Sequence, residues 1–325
     1  MNPHIRSLAI RTLVLPLTCA AGAAFAQTYP AKTVRIVVPF AAGGGVDLTA
    51  RILAQRLTER MGATFIVENR PSANGAIGVE FVAKAAPDGY TLLVGSQTTQ
   101  AVVPAIYDKI GYNAERDFAP ITLIATSPLL IAVHPSLPVK SVKELIALAK
   151  ARPGQLTFGA ASGGTPHMGG ELFKLVAGVD LMFIPYKGEG PAVADAMGGQ
   201  ISMVFANLPV ALPQVRSGRL RGLAVTTAQR VSTAPDIPTA AESGLPGYEA
   251  YTWFGFFAPS ATPREIVNKL ATEAAAGLNT PEAKERMAGI GLFVVANSPD
   301  EFAAFVKKEI PRWAKIVKDA GVKPQ

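Results

Sequence analysis

Val34-Arg35-Ile36-Val37-Val38 is an apolar strand that passes through Pro39 into Phe40-Ala41-Ala42-Gly43-Gly44-Gly45-Val46-Asp47. Beyond it, Leu48, Ile52, Leu53 and Leu57 fall on one face of a helix, with Arg51, Gln55 and Arg56 off that face. The same device recurs downstream. Leu156-Thr157-Phe158 leads into Ala160-Ala161-Ser162-Gly163-Gly164-Thr165-Pro166-His167, and Met168, Leu172, Leu175 and Val176 form the apolar face of the next helix. There Thr165 reads as the N-cap and Pro166 as the first helical residue. A strand that turns through glycine into a helix presents free backbone N–H groups and the positive end of the helix dipole, which favour an anion. Neither loop contains lysine or arginine, so a carboxylate held between them would be gripped mainly by backbone amides.

Working outward, short apolar runs alternate with amphipathic stretches, which argues for an α/β fold with largely parallel sheets. Phe65-Ile66-Val67 and Thr91-Leu92-Leu93-Val94 are further strands, with a helix from Ile77 to Ala85 between them and the turn Pro87-Asp88-Gly89 before the second. From Ser127 to Pro138 an apolar strand bracketed by prolines crosses into a second lobe, where the alternation restarts with a helix over Val142 to Ala151. Strands follow at Leu181 to Ile184, Ile201 to Phe205 and Leu220 to Val225, and Gly190-Pro191 opens the helix after the first of these. The aromatic run Tyr251-Thr252-Trp253-Phe254-Gly255-Phe256-Phe257 returns the chain to the first lobe, and helices begin near Pro263, Pro281 and Pro299. The expected division is residues 27–128 plus 252–325 for one lobe and 129–251 for the other. Two crossings imply a hinge and a cleft.

Residues 1–26 read as a secretory signal peptide: Arg6 and Arg11, an apolar stretch from Thr12 to Phe25, and Ala24-Phe25-Ala26 before the cleavage point. The single cysteine, Cys19, lies inside it, and Pro16-Leu17-Thr18 fits a lipid-anchoring signal poorly. Cleavage leaves 325 less 26, or 299 residues, without cysteine and hence without disulfide or thiol chemistry. The formal charge of +7 becomes +5 without Arg6 and Arg11, because Met1 to Ala26 carries no acid. Lysine and arginine are scattered, which argues against nucleic acid as a partner. The run Ile121 to Leu137 is interrupted by polar residues and Pro135, so it does not read as a membrane span.

Several chemistries fail. Gly43-Gly44-Gly45 has no third glycine in dinucleotide register, and no phosphate-loop motif occurs. Ala160-Ala161-Ser162-Gly163-Gly164 resembles a nucleophile elbow, but no histidine follows at the distance that fold requires; His134 precedes Ser162 and His167 is five residues after it. No cysteine–histidine set or acidic calcium loop is present, so neither a metal nor a cofactor is expected.

The signal peptide, Val37 through Asp47, Glu68-Asn69-Arg70, Pro87-Asp88-Gly89-Tyr90, Pro185-Tyr186-Lys187-Gly188, Ala224-Val225, Pro238 through Gly244 and Trp253 together resemble the Bug receptor family. These are the extracytoplasmic solute-binding proteins of tripartite tricarboxylate transporters. The resemblance covers essentially the whole chain after the leader. It implies a type II periplasmic-binding-protein fold, two α/β lobes closing over a small ligand, with the two glycine loops holding carboxyl groups. By position, Ala42, Gly43, Gly44 and Asp47 would line one side, and Ser162, Gly163, Thr165 and His167 the other. Phe40, Ser96, Gln97, Gly164, Pro185, Tyr186 and Ala206 complete the candidate set. Ala206 stands where the family often has an acid, which weakens the expectation of a ligand ammonium group there.

Each candidate also has a plainer role. Asp47 in a first helical turn is an ordinary dipole partner, Thr165 a cap, and His167 a support for that cap. Lys187 reads as a solvated loop lysine, Tyr186 and Trp253 as pocket walls or core, and His134 as structural. The function expected is that of a monomeric periplasmic receptor, not an enzyme, which takes a small organic carboxylate or amino-acid-like ligand to membrane transporter subunits. The alternatives are an exported serine hydrolase using Ser162 and a ligand sensor for a membrane kinase.

Overall fold

The computed structural model describes residues 29–72, 74–107, 109–319 and 321–322. The leader expected at residues 1–26, with Cys19, lies outside them. The first lobe starts with β1 (Val34–Val38), α1 (Gly45–Met61), β2 (Phe65–Asn69), α2 (Ala76–Ala83) and β3 (Thr91–Ser96). A π-helical turn, Thr98–Val102, then leads to α3 (Val103–Ile106) and the long strand β4 (Phe118–Val133). The second lobe carries α4 (Val142–Ala151), β5 (Thr157–Ala161), α5 (Thr165–Ala177), β6 (Met182–Tyr186), α6 (Glu189–Met197), β7 (Met203–Asn207), α7 (Leu208–Arg216) and β8 (Arg221–Val225). The chain returns through β9 (Tyr251–Pro259) and finishes with α8 (Arg264–Leu278), α9 (Pro281–Gly289), β10 (Phe293–Val294) and α10 (Pro299–Asp319).

Strand order is β2-β1-β3-β9-β4-β7-β5-β6, with β8 and β10 also paired to β4. Each lobe holds a parallel trio, β2-β1-β3 and β7-β5-β6, as the βα alternation leads one to expect. The crossing strands add antiparallel pairings that the alternation does not announce. From Phe118 to Pro128, β4 pairs with β9; from Leu129 to Val133 the same strand pairs with β7 and β8. Pro128 sits at the hand-over, where its missing N–H leaves no ladder bond to lose.

Hydrophobic cores lie on the faces of each half of this sheet. Trp253, Phe254, Phe256 and Phe257 of β9 are fully buried, so Trp253 is core and not a pocket wall; its indole N–H donates to Glu309 Oε2 at 3.0 Å. Gly255, between them, leaves room for the rings: a Cβ there would lie 2.7 Å from Phe257 Cε2 and closer still to the Phe302 ring. Gly255→Ala is therefore expected to destabilise the protein by about 1–3 kcal/mol through overpacking, read as a lower urea midpoint at unchanged slope.

Two local expectations change. The helix at the second loop is capped by Gly164 in extended conformation, and Thr165 is its first helical residue with no side-chain cap bond. Its buried face is Met168, Gly169, Gly170, Phe173 and Ala177, while Leu175 is 59% and Val176 39% exposed. The two glycines allow close approach to Leu129 and the Phe158 ring, so the contact face is marked by absent side chains and not by apolar ones. No helix among the described residues is long and apolar enough to cross a membrane.

Candidate functional site

The carboxyl ends of the parallel strands β1, β5 and β7 point their βα turns toward the cleft between the lobes, the usual ligand position in open α/β sheets. The two glycine turns share one construction. Gly43 (φ 86°) and Gly163 (φ 69°) adopt left-handed backbone that glycine accepts without strain, and Gly44 and Gly164 are extended N-caps. In each, the third helical residue reaches back to the N–H of the glycine before the cap. Gly43 N–H donates to Asp47 Oδ2 at 3.0 Å, and Gly163 N–H donates to His167 Nδ1 at 3.0 Å.

The acceptors differ in charge. Asp47 is 2% exposed and also receives Arg51 Nε on Oδ2 at 3.0 Å and Asn69 Nδ2 on Oδ1 at 2.9 Å. Burial opposes its ionisation, but the bonds from Arg51, Gly43 and Asn69 outweigh burial and hold its pKa below the usual carboxylate range. His167 is 4% exposed and stacks on Phe183 at a centroid distance of 3.7 Å. Burial, with a smaller push from Lys174, lowers its pKa to about 4. At neutral pH the ring is uncharged and, with Nδ1 accepting from Gly163, carries its proton on Nε2, which faces Glu171 Oε1 at 3.8 Å.

The space between the turns is narrow, a cavity of about 40 Å³. Of the residues expected at the site, Phe40, Gly44, Asp47, Ser96 and Gly164 line it. Ala42 and Gly43 sit exposed on the rim of the first turn. Ser162, Gly163, Thr165 and His167 are buried in and behind the second turn, where Thr165 N–H donates to Thr98 Oγ1 at 3.0 Å and Gly164 N–H to Ala161 O at 2.8 Å. Gln97 is buried beside the π-helical turn, and Ala206 is buried in a core of the second lobe. Pro185 is exposed, Lys187 is exposed, and the Tyr186 hydroxyl donates to Asp195 Oδ2 at 2.7 Å.

The cleft also gathers residues that sequence reading misses: Ala41, Gly45, Val46, Thr98, Gly188, Glu189, Asn207 and Thr252 among them. Three hydrogen-bonding atoms in its wall, Ser96 Oγ, Thr252 Oγ1 and Asn207 Oδ1, are buried and have no partner among the described residues, although their side chains belong to residues only 1–4% exposed. Buried polar atoms are almost always satisfied, so three orphans on residues that line one cleft mark a place for a polar ligand. Among the described residues, the lining contains no lysine or arginine. Glu189 is its one carboxylate besides Asp47: Oε1 accepts the Asn207 N–H, and Oε2 accepts Asn207 Nδ2 at 3.0 Å and Gly45 N–H at 3.4 Å. Burial pushes its pKa up against the effect of these three bonds. Asn207 ends β7, Thr252 lies near the start of the crossing strand β9, and a glutamate opening a helix reads locally as a dipole partner.

The model of the tripartite tricarboxylate transporter family receptor matches residues 49–322. Protein BugT of Bordetella pertussis is 38% identical over 98% of this chain and 98% of its own. Among solved structures, an R. palustris protein determined with adipate is 41% identical, with a TM-score of 0.89 over 91% of this chain and 100% of that one. MatC from Rhodopseudomonas palustris with bound malate is 32% identical, with a TM-score of 0.84 over 89% of this chain and 100% of that one. The fold is thus the two-lobed periplasmic-binding-protein fold. The hydrolase alternative is set aside, since the family consists of receptors and His167 spends Nδ1 on its own loop. The chain belongs to the tripartite tricarboxylate transporter receptor family, a family of solute-binding proteins.

Proposed function

We propose that this protein captures a small dicarboxylate in the cleft, in the periplasm, and delivers it to the membrane subunits of a tripartite transporter. The observation that carries the reading is the set of three orphaned buried groups, Ser96 Oγ, Thr252 Oγ1 and Asn207 Oδ1, on residues that line the same space as the amide end of α1. Hydroxyls and oriented amides suit a carboxylate, and the Asn207 carbonyl suits a hydroxyl or protonated group on the same molecule. Four charge-assisted bonds at ~1.5–3 kcal/mol each supply a gross ~6–12 kcal/mol, against about 8 kcal/mol for micromolar binding, so no arginine is needed. Closure of the lobes is favoured by a ligand because both walls then contact it. Adipate and malate, found in the two related structures, are the first compounds to try.

Isothermal titration of the mature protein with adipate, malate, succinate, citrate and glutamate tests this. One or more of the dicarboxylates should bind with a Kd of about 10 μM or tighter and be recovered unchanged. Conversion of any of them, or no binding across the panel, contradicts the reading.

A further inference from the structure

Glu189 is the first residue of α6, in the second lobe, yet its carboxylate lies between the N-termini of α7 and α1, the latter in the first lobe. The loop that carries it is pressed onto the first glycine turn. A Cβ on Gly188 would lie 3.4 Å from Ala41 Cβ, one on Gly190 3.5 Å from Ala42 O, and one on Gly45 3.3 Å from Asn207 Cβ. The lobes therefore touch through backbone and glycine, with the Glu189 carboxylate as the polar bridge between Gly45 N–H and the Asn207 N–H and Nδ2. Donors from two helix ends, aimed at one carboxylate, form an anion seat. Ser96, Thr252 and Asn207 line the same cleft, and the buried, unpartnered Oγ, Oγ1 and Oδ1 that they carry are an independent sign of a ligand there.

No lysine or arginine lines the cleft to neutralise a second carboxylate beside Glu189. A ligand carboxylate entering the seat would meet a like charge at contact distance in a buried site, which is unfavourable. We propose that Glu189 is a resident stand-in for a ligand carboxylate: it fills the Gly45–Asn207 seat, ties the two lobes together, and is displaced when a carboxylate ligand takes the seat. Glu189 thereby sets specificity. Only an acid whose carboxylate reaches Gly45 and Asn207 replaces the bridge that it breaks, while an acid anchored elsewhere in the cleft binds against the tie. This inference rests on the carboxylate reading above.

The test is Glu189→Gln, which keeps the size of the side chain but removes the charge and replaces one of the two acceptor oxygens with an NH₂, so that its hold on the seat donors is weakened. Glu189→Asp, which keeps the charge but shortens the reach, is the second variant. Affinity for adipate and malate is measured by titration, and compactness by small-angle scattering before and after each acid. The expected result is that the acid bound by the wild type binds Glu189→Gln about tenfold or more tighter, because no internal carboxylate competes. The variant should also be more open before the acid is added and reclose with it, with Glu189→Asp changing in the same direction. Equal or weaker binding in a folded variant overturns the proposal, since Glu189 would then not compete with the ligand for the seat. If neither wild type nor variant binds any acid, the carboxylate reading fails. In that case compactness decides the bridge: a variant as compact as the wild type overturns the tie, and a more open variant upholds it.

Discussion

Asp47→Ala should weaken binding of the cognate acid by about 100-fold and lower stability by about 2–3 kcal/mol. The side chain organises the first turn. It accepts from Gly43 N–H, Arg51 Nε and Asn69 Nδ2, and Asn69 in turn donates to Phe40 O at 3.0 Å, so one carboxylate fixes both ends of the turn. Alanine leaves Gly43 N–H and Arg51 Nε without this acceptor and Asn69 Nδ2 with Phe40 O alone, and the amides of Gly44 and Gly45 lose the register that aims them into the cleft. Removing one partner of a buried ion pair costs about 3–5 kcal/mol, but the Arg51 side chain is half exposed and recovers water, which places the expectation lower. The sign with pH follows from the lowered pKa. As pH falls toward the ordinary value near 3.8, the unfolded chain takes up the proton before the folded one does. The stabilisation is thus fully present above that value and is lost as pH falls through the folded pKa. Urea unfolding of wild type and variant should show a gap at neutral pH that narrows in acid; a gap that persists unchanged would mean that the charge of Asp47 does not carry the effect.

His167 should make the protein sensitive to mild acid in a different window. Its pKa is about 4 in the folded protein against 6.5 in the unfolded chain, so between these values the unfolded state binds the proton and the folded state does not. Stability is complete above about pH 6.5 and declines as pH falls toward about 4, by about 3 kcal/mol in all for a shift of this size. In His167→Gln the side-chain carbonyl replaces Nδ1 as the acceptor for Gly163 and nothing titrates. That variant should be less stable than wild type near pH 7, because the stack on Phe183 is lost, and should lack the decline between pH 6.5 and 4. Thermal melts of both proteins across this range check the prediction. A wild-type curve that is flat there would place the His167 ring in a more solvated setting than the geometry shows.

The paired roles of Asp47 and His167 were only half legible in the sequence. Glycine turns between a strand pattern and a helix pattern were readable, because φ freedom and apolar periodicity leave local marks, and the order of strands and helices followed. The reach of the third helical residue back to the preceding glycine was not readable, since aspartate and histidine at that position fit dipole and ligand roles equally well. Leu175 and Val176 look like a buried face by periodicity, but the close contacts of Gly169 and Gly170 turn the helix so that they face water. Of the residues that complete the cleft, Glu189 and Asn207 stand at the βα turns after β6 and β7, whereas Thr252 depends on β4 and β9 crossing between lobes and pairing antiparallel. That pairing joins residues far apart in the chain, and no local pattern encodes it.

The proposed function requires that a carboxylate be held in this cleft by backbone amides and buried hydroxyls without a cationic side chain. An amide proton–nitrogen correlation spectrum of isotopically labelled mature protein, titrated with whichever of adipate or malate binds, tests it most directly. The account predicts that the largest shifts fall on Gly44, Gly45, Val46, Ser96, Asn207 and Thr252, saturating together at the affinity found by calorimetry. Shifts centred elsewhere, with these six amides unmoved, would contradict it.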